Sequence, residues 1–169
     1  MKRLFNSFLV LSLALTSCQE EPTLQESLNY IESELDGHAI FFYRDSRGSK
    51  EIQNISFNIL DYEKCECEYI YTFYYNGEKS FKEIQKFNLM EATYANGYSG
   101  NLEIRISLSN ESNESTVIPI ESNVVKYEIR NKNEVMLYFR PEQEDRLIRA
   151  FEHSIKLCNE KIGKKYFEQ

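Results

Sequence analysis

Residues 65–75 alternate without a break. Cys65, Cys67, Tyr69, Tyr71, Phe73 and Tyr75 fall on one side of an extended chain, and Glu66, Glu68, Ile70, Thr72 and Tyr74 on the other. A period of two sustained over this length is incompatible with an amphipathic helix and predicts a strand with one face buried. Asn76-Gly77 follows, the dipeptide that best tolerates the two positive φ angles of a type I′ turn. The run is therefore one arm of a hairpin, and Lys79–Met90 is its return strand. The apolar phase of the return strand slips between Phe81 and Ile84, which reads as a bulge or bend. The chain holds 12 Tyr and 11 Phe but no Trp. Both residue types suit half-buried strands, so sheet is expected to dominate.

The flanking segments fit that frame. Thr23-Leu24-Gln25-Glu26 forms a capping box, and Leu24, Leu28, Ile31 and Leu35 recur at helical spacing. Gly37 suits the left-handed position that ends a helix, so residues 24–36 are expected to be helical. Strands are expected at 38–44, closed by the turn Asp45-Ser46-Arg47-Gly48, and at 52–60. Residues 92–100, with Asn96-Gly97 and Gly100, read as a loop. A strand at 102–109 is expected next, followed by a polar surface loop at 110–115. Val117–Ile120 contains Pro119 and reads as an edge. Val125, Tyr127 and Ile129 alternate, Asn131-Lys132-Asn133 turns the chain, and Val135, Leu137 and Phe139 alternate back. Pro141 opens a last helix, whose stripe is Leu147, Ile148, Phe151, Ile155, Cys158 and Ile162. Its first turn carries acids, and Lys161, Lys164 and Lys165 sit in and after its last, both favourable to the helix dipole.

The expected class is α+β: a short N-terminal helix, seven to eight antiparallel strands as a curved sheet or partly closed barrel, and a C-terminal capping helix. The order of elements over residues 38–162 resembles the pleckstrin-homology-like folds, seven strands followed by a capping helix. That resemblance implies a binding or scaffold role.

The N-terminus carries a different message. Lys2 and Arg3 precede the apolar run Phe8–Leu15, which is too short to span a bilayer and has the proportions of a secretory leader. Leu15-Thr16-Ser17-Cys18 follows. Here the chain resembles the bacterial lipoproteins, whose lipobox is Leu-small-small-Cys. The resemblance implies a type II signal peptide over 1–17, cleavage after Ser17, and lipidation of Cys18 by a diacylglyceryl thioether and an amide-linked acyl chain such as palmitate. The domain divisions expected are then 1–17 signal peptide, 18–22 lipidated tether, 23–163 one α+β domain, and 164–169 a basic and polar tail. Several acyl chains make a stable anchor. Gln19-Glu20-Glu21 looks like the acidic tags of some outer-membrane lipoproteins, so the expected location is the cell envelope, at the outer membrane, with the leaflet left open.

Charge narrows the partners. The full chain carries −7; removing residues 1–17 takes away Lys2 and Arg3 and no acid, leaving −9. An acidic domain repels nucleic acid, so a nucleic-acid partner is not expected. The partners expected are the membrane, through the N-terminal lipid, and a protein of the envelope.

Three cysteines remain beside Cys18. Cys65 and Cys67 share a strand face, and Cys158 lies on the helix face that meets the sheet. Two states are open: three buried thiols, slightly favoured, or a disulfide from Cys158 to Cys65 or Cys67. A soft metal at Cys65 and Cys67 lacks the ligand number and spacing of a structural zinc site, so no metal and no cofactor is expected. His38 and His153 stand in no nucleophile–base pattern, and Gly97-Tyr98-Ser99-Gly100 lacks a spacer of the Gly-x-Ser-x-Gly elbow. Asp61, Glu66, Glu68 and Glu103 form no recognisable acid–base pair. The Tyr69, Tyr71, Phe73, Tyr75 row reads as the packed face of a sheet under a helix, with a ligand platform the rival. The expectation is a non-enzymatic binding module; a carboxylate-dependent hydrolase and a small lipid carrier are the alternatives.

Overall fold

The structure is a computed structural model that describes residues 21–37, 41–45, 48–76, 78–98, 103–109, 113–119 and 128–167. The leader, Cys18 and His38 therefore lie outside the described residues. Helix α1 spans Leu24–Leu35, and the strands are β1 (Phe41–Asp45), β2 (Gly48–Asp61), β3 (Glu66–Tyr75), β4 (Glu78–Asn88), β5 (Ala92–Tyr98), β6 (Glu103–Leu108), β7 (Asn113–Pro119), β8 (Glu128–Lys132) and β9 (Glu134–Tyr138). Helix α2 spans Glu144–Phe167 after a single 3₁₀ turn at Pro141–Gln143. The class is α+β with a C-terminal helix, as the periodicities predict.

All the pairings are antiparallel. Six strands form one sheet in the order β1-β2-β3-β4-β7-β8, and three form a second in the order β5-β6-β9. The registers show how the two sheets arise. β4 pairs with β7 through Lys86↔Glu114, and β5 pairs with β6 through Tyr94↔Ser107. β7 pairs with β8 through Asn113↔Lys132, and β6 pairs with β9 through Ser107↔Glu134. β4 and β5, and β8 and β9, thus continue one another across a bend, and the pairings of β6 and β7 follow them from one sheet to the other. Among the described residues there are nine strands where seven to eight are expected, because residues 92–98 add β5. A 3₁₀ turn at Leu89–Glu91 makes the corner between β4 and β5. Main-chain bonds cross the corner from Ser109 N to Glu91 O (2.7 Å) and from Leu108 N to Asn133 O (2.8 Å).

Three local expectations are corrected. Residues 92–98 are strand, not loop: Gly97 pairs with Ile104, and a Cβ there would overlap Glu144 Oε1 and lie 2.7 Å from Ile148 Cδ1. The glycine serves close approach of α2 rather than a turn. Residues 113–115, expected within a surface loop, begin β7, with Asn113 and Ser115 buried. The strands around Asn133 do not form a hairpin, because β8 and β9 belong to different sheets.

The helices close the inner face. The capping box of α1 is present: Glu26 N donates to Thr23 Oγ1 (3.2 Å) and Thr23 N to Glu26 Oε2 (2.7 Å). Gly37 takes φ +93°, and its N–H donates to Ile55 O on β2 (3.1 Å). On α2, Leu147, Phe151, Ile155 and Cys158 are buried, as the stripe predicts. Phe151 meets Phe57 edge-on at 5.9 Å, and Phe57 lies 6.3 Å from Phe87.

Candidate functional site

The inner face of the six-stranded sheet changes character along its strands. Phe57, Cys67 and Phe87 at one end are apolar. Farther along β3, β4 and β7, the buried residues are Tyr69, Tyr71, Glu83, Gln85, Asn113 and Ser115. β3 and β4 pair without a register shift from Glu66↔Asn88 to Phe73↔Phe81. The slip in apolar phase after Phe81 is therefore not a bulge there. It marks inward-facing polar residues, Glu83 and Gln85.

These residues meet the free edge of β9. One edge of β9 pairs with β6. On the other, Asn113 Nδ2 donates to Glu134 O (2.7 Å) and Gln85 Nε2 to Met136 O (2.9 Å). Met136 N donates to Gln85 Oε1 (3.3 Å), and Tyr138 N to the Tyr69 hydroxyl (2.9 Å). The Gln85 amide thus presents a donor and an acceptor to one residue, as a neighbouring strand would. Asn113 Nδ2 also donates to Gln85 Oε1 (3.2 Å), which orients that amide. A strand edge whose polar groups would otherwise be buried unpaired is satisfied by side chains, and this partly closes the bent sheet.

Beside this clamp sits a buried charge. Glu83 is 5% exposed. Its Oε2 accepts from the Tyr71 hydroxyl (2.5 Å), and its Oε1 accepts from Ser115 Oγ (2.5 Å) and Lys132 Nζ (2.9 Å). Burial pushes the carboxyl pKa up, but bonds from Ser115, Tyr71 and Lys132 outweigh it and hold Glu83 below its ordinary range. Burial, then the Glu103 charge, pushes Tyr138 up to about 12, so its phenol stays protonated at neutral pH. The Tyr71 and Tyr138 rings meet edge-on at 5.1 Å. The aromatic row is packed, as expected for Tyr69 and Tyr71, but its cover is β9 rather than a helix. Phe73 is half-buried and stacks on Phe81 at 4.8 Å.

The cysteines resolve into a bridge and a thiol. Cys65 and Cys158 are bonded, with Cα atoms 6.2 Å apart, and Cys67 is free and buried. This corrects the slightly favoured three-thiol state. The bridge ties the β2–β3 turn to α2, and Lys161 Nζ reinforces it by donating to Tyr62 O (3.0 Å). Tyr62 in turn donates its hydroxyl to Asn29 on α1 (2.6 Å). Cys65 adopts φ +54°, a conformation uncommon for a non-glycine residue. With its sulfur bonded to Cys158, Cys65 is no thiolate partner for Cys67 in a metal site. Burial, with a smaller contribution from Glu32, pushes the Cys67 thiol up to about 12, so it is a poor nucleophile.

A second polar cluster joins residues far apart in sequence. His153 Nδ1 lies 2.9 Å from Ser27 Oγ on α1, and its Nε2 lies 3.9 Å from Glu21 Oε2. Lys156 Nζ is 3.6 Å from the same carboxylate. A groove of about 440 Å³ runs along the α1–α2 seam here, lined by Pro22, Ser27, Tyr30, Arg149, Ala150 and His153. No motif announces the Ser27–His153 contact, because the helix packing alone creates it. Among the described residues, no three His, Cys, Asp or Glu side chains gather as a metal-binding group. No known protein family matches the chain, and no curated protein or solved structure matches it significantly.

Proposed function

We propose that this chain is an envelope lipoprotein, held at the outer membrane by lipid on Cys18, whose domain binds a partner protein or ligand and is not an enzyme. The observation that carries the exported location is the Cys65–Cys158 bridge. Disulfides persist outside the reducing cytosol, which agrees with a secretory leader read from residues 1–18 quite independently. The binding role is supported by how the interior polar groups are used: Gln85, Asn113 and Tyr69 are engaged by the edge of β9, and Glu83 by Tyr71, Ser115 and Lys132. The recognition surface then lies on the outer faces and loops.

The test is to isolate the full chain from membranes, weigh its N-terminal peptide, and identify what co-purifies. A diacylated or triacylated Cys18 and a reproducible partner are expected. An unmodified Cys18 on the mature chain would overturn the anchor, and recovery of background proteins alone would count against the binding role.

A hydrolase reading has one observation in its favour, the Ser27–His153 contact at 2.9 Å beside Glu21. Against it, Ser27 is only 5% exposed and sits within α1, on a regular helical turn rather than on a strained elbow. Labelling with a fluorophosphonate discriminates: the binding module stays unlabelled, whereas a hydrolase loses its label on Ser27→Ala.

A further inference from the structure

Both helices and the edge of β9 lie against the inner face of the six-stranded sheet. Its outer face is ordered by the strand register into rows. Asn58, Glu68, Lys86 and Glu114 stand side by side across β2, β3, β4 and β7. Side chains link this row: Asn58 Nδ2 donates to Glu68 Oε1 (3.2 Å), and Lys86 Nζ lies 4.0 Å from Glu68 Oε2. In the next row Ile70 pairs with Ile84, and both are half-buried. Thr72 pairs with Lys82 in the row after that. An apolar centre therefore lies between a row of alternating charge and a row with a single lysine. Two more acids stand at the ends of the face, Glu66 beside Asn88 and Glu51 beside Tyr74.

We propose that a second copy of the chain docks on this face, the two sheets packing face to face about a two-fold axis that runs along the strands between β3 and β4. The contact joins the chain to itself, so it goes beyond the partner or ligand binding proposed above and does not depend on the lipid anchor. Charge complementarity selects the occupant. Rotation about that axis exchanges β3 with β4 and sets each row against the same row of the other copy. Glu68 of each copy then faces Lys86 of the other, so the ion pair forms twice. Ile70 faces Ile84, and Thr72 faces Lys82. Farther from the axis Glu114 faces Asn58, and Glu66 faces Asn88. Glu51 falls past the end of β7 at Pro119 and meets no acid there. Among the described residues, no charge directly opposes its like, although the chain as a whole is acidic at −7. Opposed like charges are what exclude a wrong partner, and this face presents none to its own copy. Sheets pack aligned in this manner, about 10 Å apart with strands within about 30°. Strands of 5 to 14 residues, with a rise of about 3.4 Å and a spacing of about 4.8 Å, give the face about 850 Å². That is large enough for the roughly 800 Å² that each partner of a specific complex buries.

Two copies of the full chain with different tags are co-expressed, and the second tag is measured after capture of the first from detergent-solubilised cells. Unsubstituted copies are expected to recover each other. Glu68→Lys in both copies, or Lys86→Glu in both, sets like charges against each other at both central contacts and should cut recovery about tenfold. Glu68→Lys in one copy with Lys86→Glu in the other restores opposite charges between the copies, and recovery should return to near the unsubstituted level. This mixed pair separates docking from folding, because positions 68 and 86 stay like-charged within each chain. The Lys86 side chain is 53% exposed, so loss of its internal pair is tolerated; far-ultraviolet circular dichroism checks the fold of each variant. Undiminished recovery with Glu68→Lys in both copies overturns the proposed face, and so does failure of the mixed pair to recover. Absence of the second tag with unsubstituted copies overturns self-docking, and a different protein captured in its place and lost on Glu68→Lys would assign the face to that partner instead.

Discussion

The two halves of the sheet interior are both buried but are built by different physics. Beneath α2, Phe57, Phe87, Leu89 and Phe151 fill space with apolar groups. Beneath β9, Tyr69, Gln85 and Asn113 form directed bonds to a strand edge, with the Glu83 cluster beside them. Apolar burial is non-directional, so the first half sets how firmly the helices hold without dictating their exact placement. The second half accepts one position of β9, because Glu134, Met136 and Tyr138 must each meet their own partner. The helix side thus supplies adhesion, and the β9 side supplies register.

Truncation on the helix side should have the larger effect. Phe151 is fully buried against Phe57, and Phe151→Ala is expected to cost about 3–5 kcal/mol through lost transfer energy and the cavity left behind. A denaturant midpoint measures this. Amide exchange should quicken throughout by the same factor, with Met136 and Tyr138 keeping their rank. Selective exposure of those two amides would show that α2 also sets the register of β9, and the contrast would fail.

Gln85→Leu probes the other side at similar volume. It leaves Met136 O and Met136 N without these partners, and Asn113 Nδ2 loses one acceptor. Stranding buried polar groups costs about 1–3 kcal/mol, so a loss near 2 kcal/mol is expected. The distinctive result is local: the Met136 amide should exchange much faster than the global loss explains, while amides in α2 follow the global loss. A purely uniform acceleration would mean that Gln85 is merely filling volume.

The same contrast explains what the sequence could and could not disclose. The helix side was legible because apolar residues there keep their period: Leu147, Phe151, Ile155 and Cys158 on α2 face the core as spaced. The capping box at Thr23 and the left-handed Gly37 were legible because they are local. The β9 clamp was not, since Glu83, Gln85, Asn113 and Ser115 are polar residues on a buried face, and polarity alone reads as exposure. The only trace was the broken phase after Phe81, which resembles a bulge until the register is known. Asn96-Gly97 misled in the opposite sense: turn chemistry was present, but the approach of α2 had the stronger claim on the glycine. No spacing rule distinguishes Cys65 from Cys67 as the partner of Cys158; the bonded one is Cys65, which takes a positive φ.

Acid should weaken the β9 side first. Glu83 has a folded-state pKa below its unfolded value. Its contribution is therefore fully present above the ordinary glutamate value of about 4.3 and is lost as pH falls through the lower, folded value. Urea midpoints measured from pH 7 down to 3 should fall on the acid side, and Glu83→Gln should flatten that part of the curve after an initial loss at neutral pH. An unchanged acid slope in Glu83→Gln would assign the acid sensitivity to other carboxylates.

The smallest effect is expected where the two sides touch, at Gly97 on β5 beneath the first turn of α2. The atoms nearest a Cβ there are the ends of two side chains, Glu144 Oε1 and Ile148 Cδ1. Both can swing aside, since Glu144 and Ile148 are half-buried rather than sealed in. Alanine also narrows the unfolded ensemble, which favours the folded state by about 0.4–1 kcal/mol. The two effects oppose, so Gly97→Ala should change stability by less than about 1 kcal/mol, whereas the branched Gly97→Val should lose about 1–3 kcal/mol by overpacking. Thermal melts of the pair measure the slack between β5 and α2. A loss above about 2 kcal/mol for alanine itself would mean that α2 cannot yield, and that the helix side is placed as rigidly as the edge of β9.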